Sequence, residues 1–274
     1  MIPAYRALAL VANSPVRLAP AAPSDLTVED ARFDATDGVR LYGWLVRGVP
    51  DAAAVILVHG FKSDRGEMLP YARFLHQAGF SVLLFDRRGC GESDGSVIGL
   101  GATEDRDVVG AARYVRQKLG DVPIGALGVS LGAGIVIRAA AREATIAATV
   151  ADSVWGSEDF QLDRLRSVQI ASVSVPLLPY SEPLLDRLVG TRVREASPLS
   201  DVPRIAPRAV LIIHSADDTN ATTPVSGAQE LYAAAREPKA LWIAPSGGHV
   251  GALAAYPSEY TSRVVAFFQT YLKR

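Results

Sequence analysis

The most informative segment of this chain for its fold is Ile124-Gly125-Ala126-Leu127-Gly128-Val129-Ser130-Leu131-Gly132. Its last five residues match GxSxG, a serine flanked by two glycines. The apolar residues 124–127 predict a buried strand, and residues 131–142 predict a helix. A serine on a sharp strand-to-helix turn has a strained backbone, and small neighbours let the strand and the helix approach each other. This context favours Ser130 as a nucleophile over a purely structural glycine turn.

On both sides of this turn, strand-like and helix-like stretches alternate. Core strands are predicted at 53–58, 81–85, 124–127, 147–151, 209–213 and 240–244, and helices at 66–78, 102–119, 131–142, 225–236 and 258–272. Strands that are apolar on both faces are typical of a parallel sheet covered by helices on each side. Two earlier runs, 28–36 and 39–47, flank Asp37-Gly38, which predicts a hairpin at one edge. The expected fold class is α/β, with a doubly wound, mostly parallel sheet flanked by helices.

One segment interrupts this alternation. Residues 153–203 separate two core strands, a distance far longer than an ordinary connection. The segment includes Val173-Ser174-Val175-Pro176-Leu177-Leu178-Pro179, and a solvated loop is not expected to be this apolar. We interpret the segment as a cap over a site, with a surface loop as the alternative. The expected organisation is an N-terminal extension at 1–26 and one α/β domain at 27–274 that carries the cap insertion.

Composition excludes several classes of function. The 274 residues are 49% hydrophobic and carry 28 Lys+Arg against 29 Asp+Glu, so a nucleic-acid partner is not expected. A single cysteine, Cys90, cannot form an intramolecular disulfide, and no metal-ligand spacing is apparent. No apolar stretch is long enough to span a bilayer. We expect a soluble, cytoplasmic protein without stable membrane insertion, metal or cofactor.

A serine hydroxyl needs a general base, and the sequence has four histidines. His76 lies within an amphipathic helix, where we expect it on the surface. His59 and His214 each follow a core strand and could lie near the serine. His249 lies in a glycine-rich loop after the last strand, and it fits the chain order Ser, Asp, His. We predict His249 as the base; the alternative is a loop histidine that caps the next helix.

The base needs a carboxylate that orients it and stabilises its charged form. Asp217 and Asp218 both follow the strand that ends at His214, and Asp152 follows the preceding strand. From the residues alone all three are candidates, and each could instead cap a helix or a turn.

The tetrahedral intermediate of acyl transfer needs two N–H donors for its oxyanion. The backbone N–H of Leu131, directly after Ser130, is the first predicted donor. The second is the N–H of Phe61, in the loop that follows the strand at 53–58, where Gly60 permits a turn. Another loop, residues 86–93, carries several charges, and we interpret it as an ion-paired structural turn in which Cys90 is a small buried or half-buried residue.

Together these residues resemble the α/β-hydrolase superfamily, with most likeness to bacterial serine aminopeptidase-like and esterase-like hydrolases. The resemblance runs from about residue 27 to the C-terminus and rests on Asp37-Gly38, His59-Gly60-Phe61, residues 86–93, GxSxG, Asp218 and Gly248-His249. It implies a triad of Ser130, His249 and Asp218, because in similar proteins the acid lies four residues after the strand-ending histidine. This sequence departs from the family at Ser215, where glycine is usual, at Cys90, where histidine is usual, and in a longer stretch from 218 to 224.

The function predicted from these features is hydrolysis of carboxylic esters through an acyl-enzyme. The apolar cap favours a small-molecule ester with an apolar acyl or aromatic part as the substrate. The alternatives are a peptidase or amidase with the same triad, and a non-catalytic binding protein on the same scaffold. Dehalogenase chemistry on this fold uses an aspartate as the nucleophile, and Ser130 argues against it.

Overall fold

The computed structural model of the protein describes residues 12, 20–156, 167–170, 173–176 and 178–273, with side chains given outside 167–180. Its main feature is an eight-stranded sheet. The strands of this sheet are β1 (Glu29–Asp34), β2 (Arg40–Val46), β3 (Ala54–Val58), β4 (Ser81–Phe85), β5 (Ile124–Val129), β6 (Ile146–Asp152), β9 (Ala209–Ser215) and β10 (Lys239–Ala244). They lie side by side in the order β1-β2-β4-β3-β5-β6-β9-β10. Strands β1 and β2 pair antiparallel at one edge, and the other strands run parallel. The predicted hairpin and the mostly parallel sheet are confirmed.

Helices cover the sheet. They are α1 (Leu69–Gln77), α2 (Asp105–Leu119), α3 (Leu131–Arg142), α4 (Leu178–Val189), α5 (Pro198–Asp201), α6 (Val225–Ala234), α7 (Ala252–Ala255) and α8 (Pro257–Tyr271). The helix predicted from residue 66 is instead a 3₁₀ turn, Arg65–Met68, followed by α1. Pro70 explains the α-helical start at Leu69, since proline lacks an N–H and suits the first helical turn. None of the described helices is both long and apolar enough to cross a membrane.

The sheet brings the predicted site residues to one edge. Parallel strands β3, β5, β6 and β9 end at nearly the same level, with Val58 paired to Gly128 and Val129 paired to Asp152. All four strands are buried along nearly their whole length, so their order is held by packing on both faces. Ser130 leaves β5 in the middle of this edge, where ligands of open α/β sheets usually bind.

The segment 153–203 lies between β6 and β9, as predicted. Its described part contains an antiparallel hairpin of β7 (Ser167–Ile170) and β8 (Val173–Pro176), followed by α4 and α5. Near its start, the fully buried Trp155 donates a hydrogen bond to the carbonyl of Leu131 at 3.2 Å. Near its end, the buried Asp201 pairs with Arg138 and Arg142 of α3. Both ends are therefore attached to the helix that follows Ser130.

Some expectations fall outside the described residues. Of the N-terminal extension predicted at 1–26, residue 12 and residues 20–26 are described. Within the segment 153–203, Leu177 and the side chains of Val173 and Val175 lie outside the description. The domain boundaries and the cap interpretation stay predictions.

The charged loop 86–93 is the ion-paired turn that we predicted. Asp86 accepts hydrogen bonds from Arg65, and Arg88 pairs with Asp37 and Asp107 at 2.8 and 2.7 Å. Cys90 is fully buried in the core, which agrees with its interpretation as a small packing residue.

Candidate active site

The turn at Ser130 has the strained geometry expected of it. Ser130 has φ 52° and ψ −119°, a backbone conformation that residues other than glycine rarely adopt. A Cβ on Gly128 would lie 2.2 Å from the carbonyl oxygen of Gly132, and one on Gly132 would lie 2.3 Å from that of Val58. Any larger residue at either position would force the strand, the helix and the neighbouring strand apart. The glycines of GxSxG are therefore required by close approach of the backbone.

The His249 ring lies within hydrogen-bond distance of both Ser130 and Asp218. The His249 Nε2 atom is 2.9 Å from the Ser130 Oγ atom, and the His249 Nδ1 atom is 2.9 Å from the Asp218 Oδ2 atom. The Asp218 carboxylate is fully buried, whereas 29% of the His249 side chain is exposed. With the proton on Nδ1 donated to Asp218, Nε2 can accept the proton of the Ser130 hydroxyl.

The two competing carboxylates have other partners. Asp217 accepts a hydrogen bond from the backbone N–H of Gly248 at 2.8 Å, next to His249 but not on its ring. That bond lowers the pKa of Asp217. Asp152 is fully buried and accepts hydrogen bonds from the Tyr260 and Ser153 hydroxyls at 2.9 and 3.1 Å. Of the three candidates, only Asp218 is within 3 Å of the imidazole in the described residues.

The other three histidines do not contact Ser130. His214 is fully buried, with Nε2 3.1 Å from the same Asp218 oxygen, and burial lowers its pKa. It therefore lies behind the carboxylate as a neutral ring. His59 is fully buried beside the loop that carries Phe61. His76 lies in α1 with part of its side chain exposed.

Side chains that sequence reasoning missed hold the loop of His249. The Ser153 Oγ atom accepts a hydrogen bond from the Val250 N–H at 3.0 Å, and both residues have positive φ, 55° and 58°. The Thr223 hydroxyl lies 3.1 Å from the His249 Nδ1 atom. No local pattern marks these residues, since Ser153 and Val250 are 97 positions apart.

The two predicted oxyanion donors belong to backbone segments next to Ser130. Leu131 is the first residue of α3, so its N–H has no intrahelical partner. A Cβ on Gly60, the residue before Phe61, would lie 3.4 Å from the Ser130 Cβ. The role of these N–H groups as oxyanion donors stays a prediction. Within the described residues, no three His, Cys, Asp or Glu side chains are grouped as a metal site requires.

Burial raises the pKa of Asp152 to about 6 from the usual 3.8, although its hydrogen bonds oppose this change. The folded state therefore binds the proton more tightly than the unfolded state. The resulting stabilisation is complete below about pH 4 and is lost as the pH rises through about 6. At about 1.4 kcal/mol per pH unit, it corresponds to about 3 kcal/mol.

We therefore expect Asp152→Asn, which cannot ionise, to gain about 3 kcal/mol relative to the native protein between pH 4 and pH 7. The free energy of unfolding in urea, measured for both proteins at each pH, tests this. Asp121→Asn is the control, since that side chain is 88% exposed. A stability difference between the Asp152 variant and the native protein that is constant with pH would contradict the prediction.

Comparison with known proteins agrees with this architecture. The esterase Pf2001 of Pyrococcus furiosus superposes with a TM-score of 0.77 at 24% identity, covering 96% of this chain and 99% of that one. The protein YfhR of Salmonella typhi is 30% identical over 91% of this chain and 84% of its own length. YqkD of Bacillus subtilis is 32% identical over 76% of this chain and 70% of its own. The chain belongs to the α/β-hydrolase superfamily.

Within this superfamily, the family described as serine aminopeptidase, S33, has a model that matches residues 50–179. That match covers the loop with Phe61 and the turn at Ser130, and it ends before Asp218 and His249. The resemblance inferred from the sequence is confirmed at the level of the superfamily, a class of hydrolases.

Proposed function

We propose that the protein is a serine hydrolase that cleaves carboxylic esters through an acyl-enzyme. One observation carries the proposal: the Ser130 hydroxyl, the His249 ring and the buried Asp218 carboxylate form a continuous chain with two distances of 2.9 Å. This chain lies at the edge of the sheet where neighbouring strands end together. The structural likeness to an esterase supports the choice of ester substrates.

In the proposed reaction, the Ser130 oxygen attacks the ester carbonyl carbon while its proton passes to the His249 Nε2 atom. Asp218 stabilises the imidazolium that forms. The N–H groups of Phe61 and Leu131 hold the negative charge that develops on the carbonyl oxygen. Protonated His249 then gives its proton to the departing alcohol. Water, deprotonated by the same ring, attacks the acyl-enzyme and releases the acid together with free Ser130.

A second candidate is cleavage of an amide or peptide bond by the same residues. The match to the serine aminopeptidase family favours it. A purified sample should be tested with p-nitrophenyl esters of increasing acyl length beside aminoacyl-anilides. We expect a much higher kcat/KM on the esters. A higher kcat/KM on the anilides would replace the esterase proposal by the peptidase, and no turnover of either class would contradict both.

We further propose that the segment 153–203 is a cap that covers the acyl pocket. Its first end is attached next to Ser130, where Trp155 donates to the Leu131 carbonyl, and its second end is attached further along α3, where Asp201 pairs with Arg138. A methylene contact in an apolar pocket contributes about 1–3 kcal/mol, or about 10- to 200-fold in kcat/KM.

Bulky substitutions at Val173, Val175 and Leu177, made one at a time, should therefore shift the preferred ester length. They should leave labelling of Ser130 by a fluorophosphonate nearly unchanged, because the proposed catalytic groups lie outside the segment. Val49→Phe is a suitable control, since Val49 is 61% exposed and lies in the connection from β2 to β3, away from the catalytic edge. An unchanged length profile in all three variants would make the segment a docking surface instead of a cap.

A further inference from the structure

Arg87 is a fully buried cation next to the predicted oxyanion loop. Its Nη2 atom donates a hydrogen bond to the carbonyl oxygen of Gly60 at 2.7 Å. The Nδ1 atom of His59 lies 2.9 Å from the same oxygen and donates to it in the matching tautomer. The other ring nitrogen of His59 accepts the backbone N–H of Arg87 at 3.1 Å, which is consistent with that tautomer. One carbonyl oxygen thus receives two buried donors.

That carbonyl belongs to the same peptide group as the N–H of Phe61. A planar peptide group turns as one unit, so donors on its oxygen also fix the direction of its N–H. Hydrogen bonds in a chain polarise one another, and a cationic donor on the oxygen makes the N–H a stronger donor. We infer that Arg87, together with His59, positions and polarises the Gly60–Phe61 peptide as an oxyanion donor. This inference rests on the proposed function.

The charges around the peptide support this assignment. Arg87 lies 3.7 Å from the fully buried carboxylate of Glu104, which is itself held by the N–H groups of Gly99 and Gly101 at 2.6 and 3.0 Å. On the other side of Gly60, its N–H donates to Glu67 at 2.6 Å. Gly60 is therefore hydrogen-bonded through both its N–H and its carbonyl oxygen. Burial and the charge of Arg87 lower the pKa of His59 well below its usual range, so that ring stays neutral.

A purely structural role for Arg87 explains less. Among the described residues, its Nε and Nη1 atoms have no hydrogen-bond partner. A buried cation with incomplete partners is commonly less stabilising than an apolar side chain of similar volume. The shortest polar contact that Arg87 makes with the described residues is the one with the Gly60 carbonyl, and Gly60 lies beside the Ser130 side chain.

The test compares Arg87→Met and Arg87→Lys with the matched control Arg208→Met. Arg208 is a half-buried cation that also donates to backbone carbonyls, those of Glu143 and Ile146 at 3.0 and 2.9 Å, and it lies just before β9, at the end of the sheet away from Ser130. Loss of a direct oxyanion donor costs about 10²–10³ in kcat. We expect Arg87→Met, which removes only the support, to lower kcat on a p-nitrophenyl ester by about 10- to 100-fold with little change in KM.

Two further readouts separate this role from a packing role. The rate at which a fluorophosphonate labels Ser130 should fall by a similar factor, since charge also develops on the phosphoryl oxygen. The inhibition constant of a trifluoromethyl ketone should rise in parallel. Arg87→Lys, which keeps a cationic donor, should recover most of the loss. Arg208→Met should reduce the midpoint of thermal unfolding while leaving kcat and labelling per folded molecule unchanged.

Equal kcat and labelling rates in the native protein and Arg87→Met would overturn the inference while leaving the proposed function intact. Equal losses in Arg87→Met and Arg208→Met would overturn it as well, because they would indicate packing alone. If Arg87→Met does not fold, the double variant Arg87→Met/Glu104→Gln removes both buried charges and is compared in the same way. A native protein that the fluorophosphonate does not label would overturn both the proposed function and this inference.

Discussion

Ser130→Ala will abolish ester hydrolysis and labelling by a fluorophosphonate, while the protein stays folded. The Ser130 Oγ atom lies 2.9 Å from the His249 Nε2 atom, and substitution by alanine removes this atom without adding volume. Loss of the nucleophile in a serine hydrolase lowers kcat by about 10⁶-fold. The backbone at this position has φ 52°, and the energetic cost of this conformation is similar for serine and alanine. The free energy of unfolding should therefore change little.

Measured rates and mass spectrometry of the labelled protein test this expectation. Ser262→Ala is a matched control that removes the same atom from an exposed position on α8, where its hydroxyl donates to the carbonyl of Glu259. It should keep full activity. Labelling that persists in Ser130→Ala at the native rate would remove Ser130 from the mechanism, and with it the proposed function.

Asp218→Asn will lower kcat by about 10⁴-fold, far more than Asp217→Asn. An asparagine at 218 presents an N–H to the His249 Nδ1 atom, and this favours the tautomer with its proton on Nε2. That tautomer cannot accept the proton of Ser130. Asparagine at 217 keeps an oxygen that can accept the Gly248 N–H, so the loop of His249 is retained.

The neighbouring pair forms its own control, since both substitutions change one oxygen into one NH₂ group. kcat for each variant should be measured beside circular dichroism, because Asp218 is buried and its replacement must be shown to fold. Small and equal losses in the two variants would assign the role to Asp152 or to a water-mediated contact.

Much of the fold could be read from local patterns. The short apolar runs are strands because both faces of the sheet are covered, and the GxSxG stretch has glycines where backbones approach closely. The helix predicted from residue 102 begins instead at Asp105, because Glu104 uses its carboxylate to hold the turn at Gly99 and Gly101. This interaction depends on a single side chain, so the periodicity of apolar residues in the sequence does not predict it.

The fold class, the turn at Ser130 and the proximity of Ser130 to His249 were predictable from the sequence, since these depend on periodicity, residue size and chain order. Only the folded chain shows that Asp218, and not Asp217, contacts the His249 ring, because adjacent residues point in different directions once the loop has a path. The structure also shows the hydrogen bonds between Ser153 and Val250 and between Arg87 and the Gly60 carbonyl. These contacts connect residues 97 and 27 positions apart and arise where separate strands end at one edge of the sheet.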